Sequence, residues 1–161
     1  MNKLALIVSA AAALVPWGSA AGTGERQRAI VLMAEDEGDR KFQENWGYSD
    51  AVVTGDTIYL SGIVVGMRAG DSGMPGAYDR VYKKVGAILK RAGASWDDVV
   101  DMTSFHTDVE GQIETMAGVH KRHVTAPYPA WTAIGVAKVL GNGITEIKVT
   151  AKRPTAAAAS N

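Results

Sequence analysis

The sequence predicts an α+β fold: a mixed β-sheet with two helices packed on one face, in the order β-ββ-α-β-α-ββ. Three observations predict it. Short runs of β-branched and aromatic residues recur, bounded by glycines. One long apolar stripe at helical period spans residues 78–92, and a weaker one follows after an intervening β-rich run. Strands and helices thus alternate so that both helices can pack on one layer of strands. The 161 residues suit a single domain with a real core.

Taken in order, Ala29-Ile30-Val31-Leu32-Met33 reads as a short strand, and the polar, acidic stretch 34–47 as a surface loop. Ala51-Val52-Val53 and Thr57-Ile58-Tyr59-Leu60 are joined by Thr54-Gly55-Asp56, a hairpin with its turn residues in place. Ser61-Gly62 closes the second strand, and 64–76, rich in glycine, reads as a loop. In 78–92, Tyr78, Val81, Tyr82, Val85, Ile88, Leu89 and Ala92 form one helical stripe. Asp79 near its start and Lys90 and Arg91 near its end suit the helix dipole, and Gly93 is the expected stop. Ser95 and Asp98 resemble the cap of a single short turn.

Residues 99–107 then read as a strand, and 112–124 as the second helix, with Ile113, Met116, Ala117 and His120 on one face. Residues 130–139 form another strand, which Gly141-Asn142-Gly143 is expected to turn back into 144–151 as a second hairpin. In 130–139 both parities are largely apolar: Thr132, Ile134 and Val136 on one, Trp131, Ala133, Gly135 and Ala137 on the other. Two helices cannot easily cover both faces of a sheet, so a subunit interface is expected over the second.

The ends are set apart. Met1-Asn2-Lys3, an uncharged apolar run over 4–15, Pro16 and the small residues Gly18-Ser19-Ala20-Ala21 have the order of a secretory signal peptide. The run is shorter than the roughly 17–25 residues that span a membrane. Residues 1–21 are therefore expected to be a leader cleaved after Ala20 or Ala21, giving a periplasmic or secreted protein with no membrane association afterwards. A single domain over 27–154 and a frayed tail over 155–161 complete the organisation.

Composition excludes several chemistries. Lys plus Arg and Asp plus Glu each total 17, so there is no basic surplus for nucleic acid. The absence of Cys removes disulfides, thiolate nucleophiles and thiolate metal sites. His120-x-x-His123 could share a helix face and ligate a metal with His106 or Glu110, but this spacing alone is a weak signal and no metal is expected. Two polar residues stand out. Glu146, within Ile144-Thr145-Glu146-Ile147-Lys148-Val149, is either an acid/base group or a surface carboxylate paired with Lys148. Ser61 ends an apolar strand, where a hydroxyl is commonly satisfied by the backbone.

Several blocks in sequence resemble the RidA/YjgF family. They are Gly47-Tyr48-Ser49-Asp50-Ala51-Val52, then Gly55-Asp56-Thr57-Ile58-Tyr59-Leu60-Ser61-Gly62, then Ala92-Gly93-Ala94-Ser95-Trp96-Asp97-Asp98-Val99-Val100 with Thr103, Phe105 and Asp108, and finally Tyr128-Pro129-Ala130, Val136-Ala137 and Glu146-Ile147. The resemblance implies a chorismate-mutase-like fold, a homotrimer with clefts between neighbouring subunits, and hydrolysis of reactive imines or enamines without metal or organic cofactor. It implies that Tyr48, Ser61 and Glu146 are catalytic and line the cleft, Glu146 activating water. It places substrate-binding residues at Trp131, Thr132 and Ala133.

One departure bears on specificity. Deaminating members carry an Arg after the Pro-Ala pair, which holds the substrate carboxylate, and often a Cys two positions on; this sequence has Trp131 and Ala133. The family's Asn on the second helix is replaced, with Ala117 in the matching place. An indole cannot reproduce a bidentate guanidinium–carboxylate pair. Hydrolysis of an imine lacking a carboxylate therefore stands beside a non-catalytic small-molecule-binding or chaperone-like trimer. The ribonuclease activity claimed for some relatives is disfavoured by the even charge.

Overall fold

The computed structural model describes residues 24–154, so the expected leader and tail lie outside the described residues. The elements are α1 (Glu25–Arg28), β1 (Ile30–Leu32), α2 (Glu37–Trp46), β2 (Ala51–Thr54), β3 (Thr57–Leu60), β4 (Ile63–Val65), α3 (Gly73–Arg91), β5 (Val99–His106), α4 (Val109–His123), β6 (Ala130–Gly135) and β7 (Thr145–Lys152), with short 3-10 turns at Trp96–Asp98 and Leu140–Asn142. The strands form one sheet in the order β1-β2-β3-β7-β5-β6, and β4 also pairs with β7. Among the described residues only β5 and β6 run parallel, joined by α4; the other pairs are antiparallel. This is the expected α+β architecture, with α3 and α4 covering one face.

The sheet is two-sided by period. Along β7, Thr145, Ile147, Val149 and Ala151 are buried, while Glu146, Lys148, Thr150 and Lys152 point to the other face. The buried set meets Tyr78, Val81, Tyr82, Val85, Ile88 and Leu89 of α3, the stripe read from the sequence. Burying these side chains is worth roughly 1.5–3 kcal/mol each, which makes this layer the main source of stability. α3 starts at Gly73, earlier than its stripe, because Pro75 is tolerated in a first turn. Ser95 and Asp98 form the capping box of the turn that leads into β5.

Three expectations fail. The stretch 64–76 is not all loop: Val64 and Val65 belong to β4, which pairs with β7, and α3 already begins at Gly73. The stretch 34–47 is not a loop: α2 occupies most of it, capped by Asp36, whose side chain accepts from Asp39 N, and closed by Gly47 in the left-handed region at φ 72°. Gln43 is its one buried residue, so it lacks the apolar stripe that would reveal it. The second hairpin is absent as well. β6 ends at Gly135, and Gly141 and Asn142 take positive φ in the turn that follows. β7 then enters between β5 and the β3–β4 edge, leaving β6 outermost. Its one-sided alternation suits a central strand, and β6 is already held by β5 through the α4 crossover.

The helix-free face carries Thr132 and Ile134 of β6 beside Thr103 and Phe105 of β5 and Lys148 and Glu146 of β7. Ile134 is 41% exposed and Tyr59, on the same face, 48%. The uncovered second face expected from the sequence is therefore present in a single chain.

Candidate functional site

β3 and β4 are two halves of one bent edge along β7. Residues 57–59 pair with 150–152, and 63–65 with 145–147. Ser61 and Gly62 fall in the break between them, directly beside Glu146, which pairs with Val64 on one side and Phe105 on the other. The Glu146 side chain folds over the Gly62 backbone: a Cβ added to Gly62 would lie 2.7 Å from its Cδ and collide with its carboxylate. Among the described residues no hydrogen bond or ion pair engages that carboxylate, so the pairing with Lys148 is not made. A half-buried, unpartnered acid is available to a ligand.

Glu146, Ser61 and Tyr48 line one cleft of about 970 Å³. The Ser61 hydroxyl donates to Ser49 O at 2.7 Å, and its amide donates to Asp50 O at 3.0 Å. Its proton is thus committed, and its oxygen can only accept from a ligand. Tyr48 follows directly on the Gly47 cap of α2. Burial pushes its phenol above the ordinary value, and the charges of Asp50 and Asp39 add to this, so the hydroxyl stays a neutral donor at physiological pH.

A buried polar chain holds this wall in place. Gln43 Nε2 donates to Asp50 Oδ1 at 2.7 Å, Gln43 Oε1 accepts from Ala34 N at 2.8 Å, and Arg91 Nη1 donates to Asp50 Oδ2 at 3.0 Å. The connection pins α2 to β2 and to the end of α3. It also presents Phe42 and Trp46 to the cleft, with their rings stacked at 5.2 Å. Composition gave no sign of this wall. The usable signal was the pair of ends, Asp36 as cap and Gly47 as stop.

The other three residues lie elsewhere. Trp131 and Ala133 register with Met102 and Ser104 on the helix-covered side. The Trp131 indole N–H donates to Ser104 Oγ at 2.9 Å, and its ring lies 5.0 Å from that of His120. With Ala117, His120 and Tyr128 it lines a separate pocket of about 200 Å³. Thr132 is on the Glu146 face, but across β5 and level with Lys148, roughly 10 Å away by strand spacing. Within one chain the six residues therefore do not converge: Tyr48, Ser61 and Glu146 share one cleft, Trp131 and Ala133 lie on the helix-covered side, and Thr132 is apart from both.

Beneath Trp131 runs a network that sequence reasoning missed. Ser104 Oγ is 2.8 Å from His106 Nε2, His106 Nδ1 is 3.2 Å from Gln112 Oε1, and Thr145 links Gln112 to the Tyr78 hydroxyl. Burial keeps His106 neutral by lowering its pKa. The order Ser-His-Gln resembles a hydrolytic relay, but Ser104 is fully buried and already accepts from Trp131, so the chain fixes the indole rather than offering a nucleophile. His120 and His123 take different partners, the Tyr82 hydroxyl and Asp79, and so do not converge.

Comparison with known proteins bears on this arrangement. The family profile described as Endoribonuclease L-PSP matches residues 40–153. The RutC family protein YjgH of Escherichia coli (strain K12) is 40% identical over 111 residues, 66% of this chain and 83% of the relative. A human protein named 2-iminobutanoate/2-iminopropanoate deaminase is 30% identical over 109 residues, 65% of this chain and 78% of its own length. Among solved structures, a protein YJGH superposes with TM-score 0.68 at 33% identity, covering 82% of this chain and 99% of its own. RidA from an Antarctic Psychrobacter species gives 0.60 at 26% identity, covering 76% and 93%.

Proposed function

The chain belongs to the RidA/YjgF (Endoribonuclease L-PSP) family, and from that premise we propose that it hydrolyses a reactive imine or enamine at the Glu146 cleft. The observation that carries the reading is the unpartnered Glu146 carboxylate laid over Gly62, with Ser61 and Tyr48 lining the same cleft. Water attacks the imine carbon while Glu146 removes its proton. The C=N bond becomes a carbinolamine, and the proton passes to nitrogen. Glu146 then takes the carbinolamine hydroxyl proton and passes it to nitrogen as the C–N bond breaks, which expels ammonia and leaves a carbonyl. Ser61 accepts from the nitrogen's N–H, as its committed proton requires, and the neutral Tyr48 hydroxyl donates to the developing oxygen.

The assembled site is an intersubunit one. A homotrimer would bring the Trp131 pocket of one copy to the Glu146 cleft of the next, with Trp131, Thr132 and Ala133 contacting the substrate there. The chain would act in the periplasm or outside the cell. A non-catalytic binding trimer is the second reading. It is favoured by Trp131 standing where the resemblance expects a guanidinium, with its indole N–H already given to Ser104.

The test is ammonia release from imines generated in situ. Glu146→Gln should lose activity by roughly 100-fold or more, the usual worth of a general base. Trp131→Arg should raise turnover of carboxylate-bearing imines if position 131 faces the substrate. Absence of ammonia release from every imine, with and without a carboxylate, would leave the binding trimer standing.

A further inference from the structure

A chain of hydrogen bonds runs from the Trp131 indole through the core to the start of β7, and its chemistry allows one direction only. An indole N–H can only donate, so Ser104 Oγ accepts it at 2.9 Å. The Ser104 proton then goes to its other partner, His106 Nε2, at 2.8 Å. With Nε2 accepting, the neutral ring carries its proton on Nδ1 and donates to Gln112 Oε1 at 3.2 Å. Gln112 Nε2 donates to Thr107 Oγ1 at 3.1 Å, and Thr107 Oγ1 donates to Ile144 O at 3.0 Å. Thr145 also donates to Gln112 Oε1, at 3.2 Å, and so accepts from the Tyr78 hydroxyl at 2.7 Å. Ser104, His106 and Thr145 are fully buried, and among the described residues no buried side-chain nitrogen or oxygen is left without a partner. Reversing the Ser104–His106 link would leave the Ser104 proton without an acceptor and set a bare Nδ1 against the Gln112 carbonyl oxygen. Burial lowers the His106 pKa, which keeps the ring in the neutral form that the chain requires.

This chain decides what Trp131 can show to a ligand. The indole is held in two ways. Its N–H edge is fixed by Ser104, and its plane by His120, whose ring lies 5.0 Å away at 30° and is itself tied to the Tyr82 hydroxyl at 3.1 Å. The one polar group of the side chain is spent inside the protein. Only carbon is left to line the pocket of about 200 Å³ beside Ala117 and Pro129. Lys121 and Tyr128 also line it but are exposed, so their polar ends can stay in water. An apolar cavity of about 150 Å³ is enough to hold a benzene ring.

We propose that Ser104 and His106 are positioning residues: through the Nδ1–H tautomer of His106 they keep the Trp131 N–H turned into the protein, so that the pocket takes a flat, uncharged aromatic ring rather than a carboxylate. The inference concerns this pocket alone and does not require Glu146 to act as a base.

Two measurements on the intact protein test it. The first is long-range proton–nitrogen NMR at pH 7.5, with His106 assigned by the signals lost in His106→Gln. Nδ1 should be protonated and Nε2 bare; the opposite tautomer, or an imidazolium, overturns the inference. The second is a fluorine NMR titration with fluorobenzene and with 4-fluorobenzoate, the thermal midpoint of each variant being checked. Wild type should bind fluorobenzene saturably and more tightly than 4-fluorobenzoate. The two amides separate positioning from a merely structural role. A Gln oxygen reaches the place of Nε2 and still accepts from Ser104, whereas Asn reaches only the place of Nδ1. His106→Gln should therefore keep the wild-type affinity for fluorobenzene. His106→Asn and Ser104→Ala should each weaken it by roughly tenfold. The same two substitutions should speed solvent exchange of the Trp131 indole N–H, assigned with Trp131→Phe, while His106→Gln leaves it slow. No saturable binding of fluorobenzene, a wild-type preference for 4-fluorobenzoate, an equal loss in the two His106 variants, or an unaffected Ser104→Ala each overturn the inference.

Discussion

Gly62 sets where the carboxylate of Glu146 can lie. Its φ is not in the left-handed region, so alanine can adopt the same backbone without strain, yet a Cβ there would displace the Glu146 side chain. Gly62→Ala should therefore fold with a thermal midpoint within a few degrees of wild type but lose activity by roughly 10–100-fold, the effect of a misplaced catalytic group. Ammonia release measured beside differential scanning calorimetry checks this; a fully active Gly62→Ala would remove the argument for Glu146. At this scale the sequence was partly legible. Glu146 and Ser61 were visible as polar residues breaking apolar strand patterns. Gly62 read only as the end of a strand, because its role depends on how a side chain from β7, far along the chain, folds across it.

α2 shows why a helix can be lost from a sequence reading and still position a site. It has Gln43 as its one buried residue, and its apolar residues Phe42 and Trp46 face the cleft instead of the core. Its attachment is polar and local to Gln43, Asp50 and Arg91. Asp50→Ala leaves the buried Gln43 amide donor without its acceptor and takes one partner from the half-buried Arg91, which keeps Met33 O and Glu35, and this costs about 1–3 kcal/mol. Urea unfolding should show that loss, and hydrogen exchange should speed up first in residues 37–46. Exchange spread evenly over the whole sheet would contradict the pinning. α3 was readable from its stripe because nearly all its stabilisation comes from burial on the sheet. The β6–β7 expectation failed because a glycine-rich connection was taken for a tight turn, whereas the pairing of β7 was decided by its one-sided alternation and by the open slot beside β5.

For the whole molecule, the asymmetry of the sheet has two consequences. The helix-free face leaves Ile134 and Tyr59 largely exposed, and covering it is the physical basis for the proposed trimer; light scattering should give three times the chain mass, and a monomer mass would sink the intersubunit site. The helix-covered face carries the second consequence, a dependence on pH. His106 lies among Ser104, Gln112 and Thr145, none of which titrates near neutrality, and burial lowers its pKa. His120, against Tyr82 and Trp131, is lowered first by burial and then by the charge of His123. With both folded values below the ordinary one, the unfolded chain takes up protons first as pH falls below about 6.5. Stability is therefore fully present above that point and is lost progressively on acidification. Asp71, held down to about 2 by Arg80, and Asp79, lowered by Lys83 and His123, extend the loss below about pH 4, where their unfolded counterparts protonate. The thermal midpoint should thus drop between pH 7.5 and 5, and drop again below 4. His106→Asn should start lower at pH 7.5, having lost a network member, but show a shallower slope between 6.5 and 5. An unchanged midpoint across that interval in wild type would mean that neither histidine is held neutral by the fold.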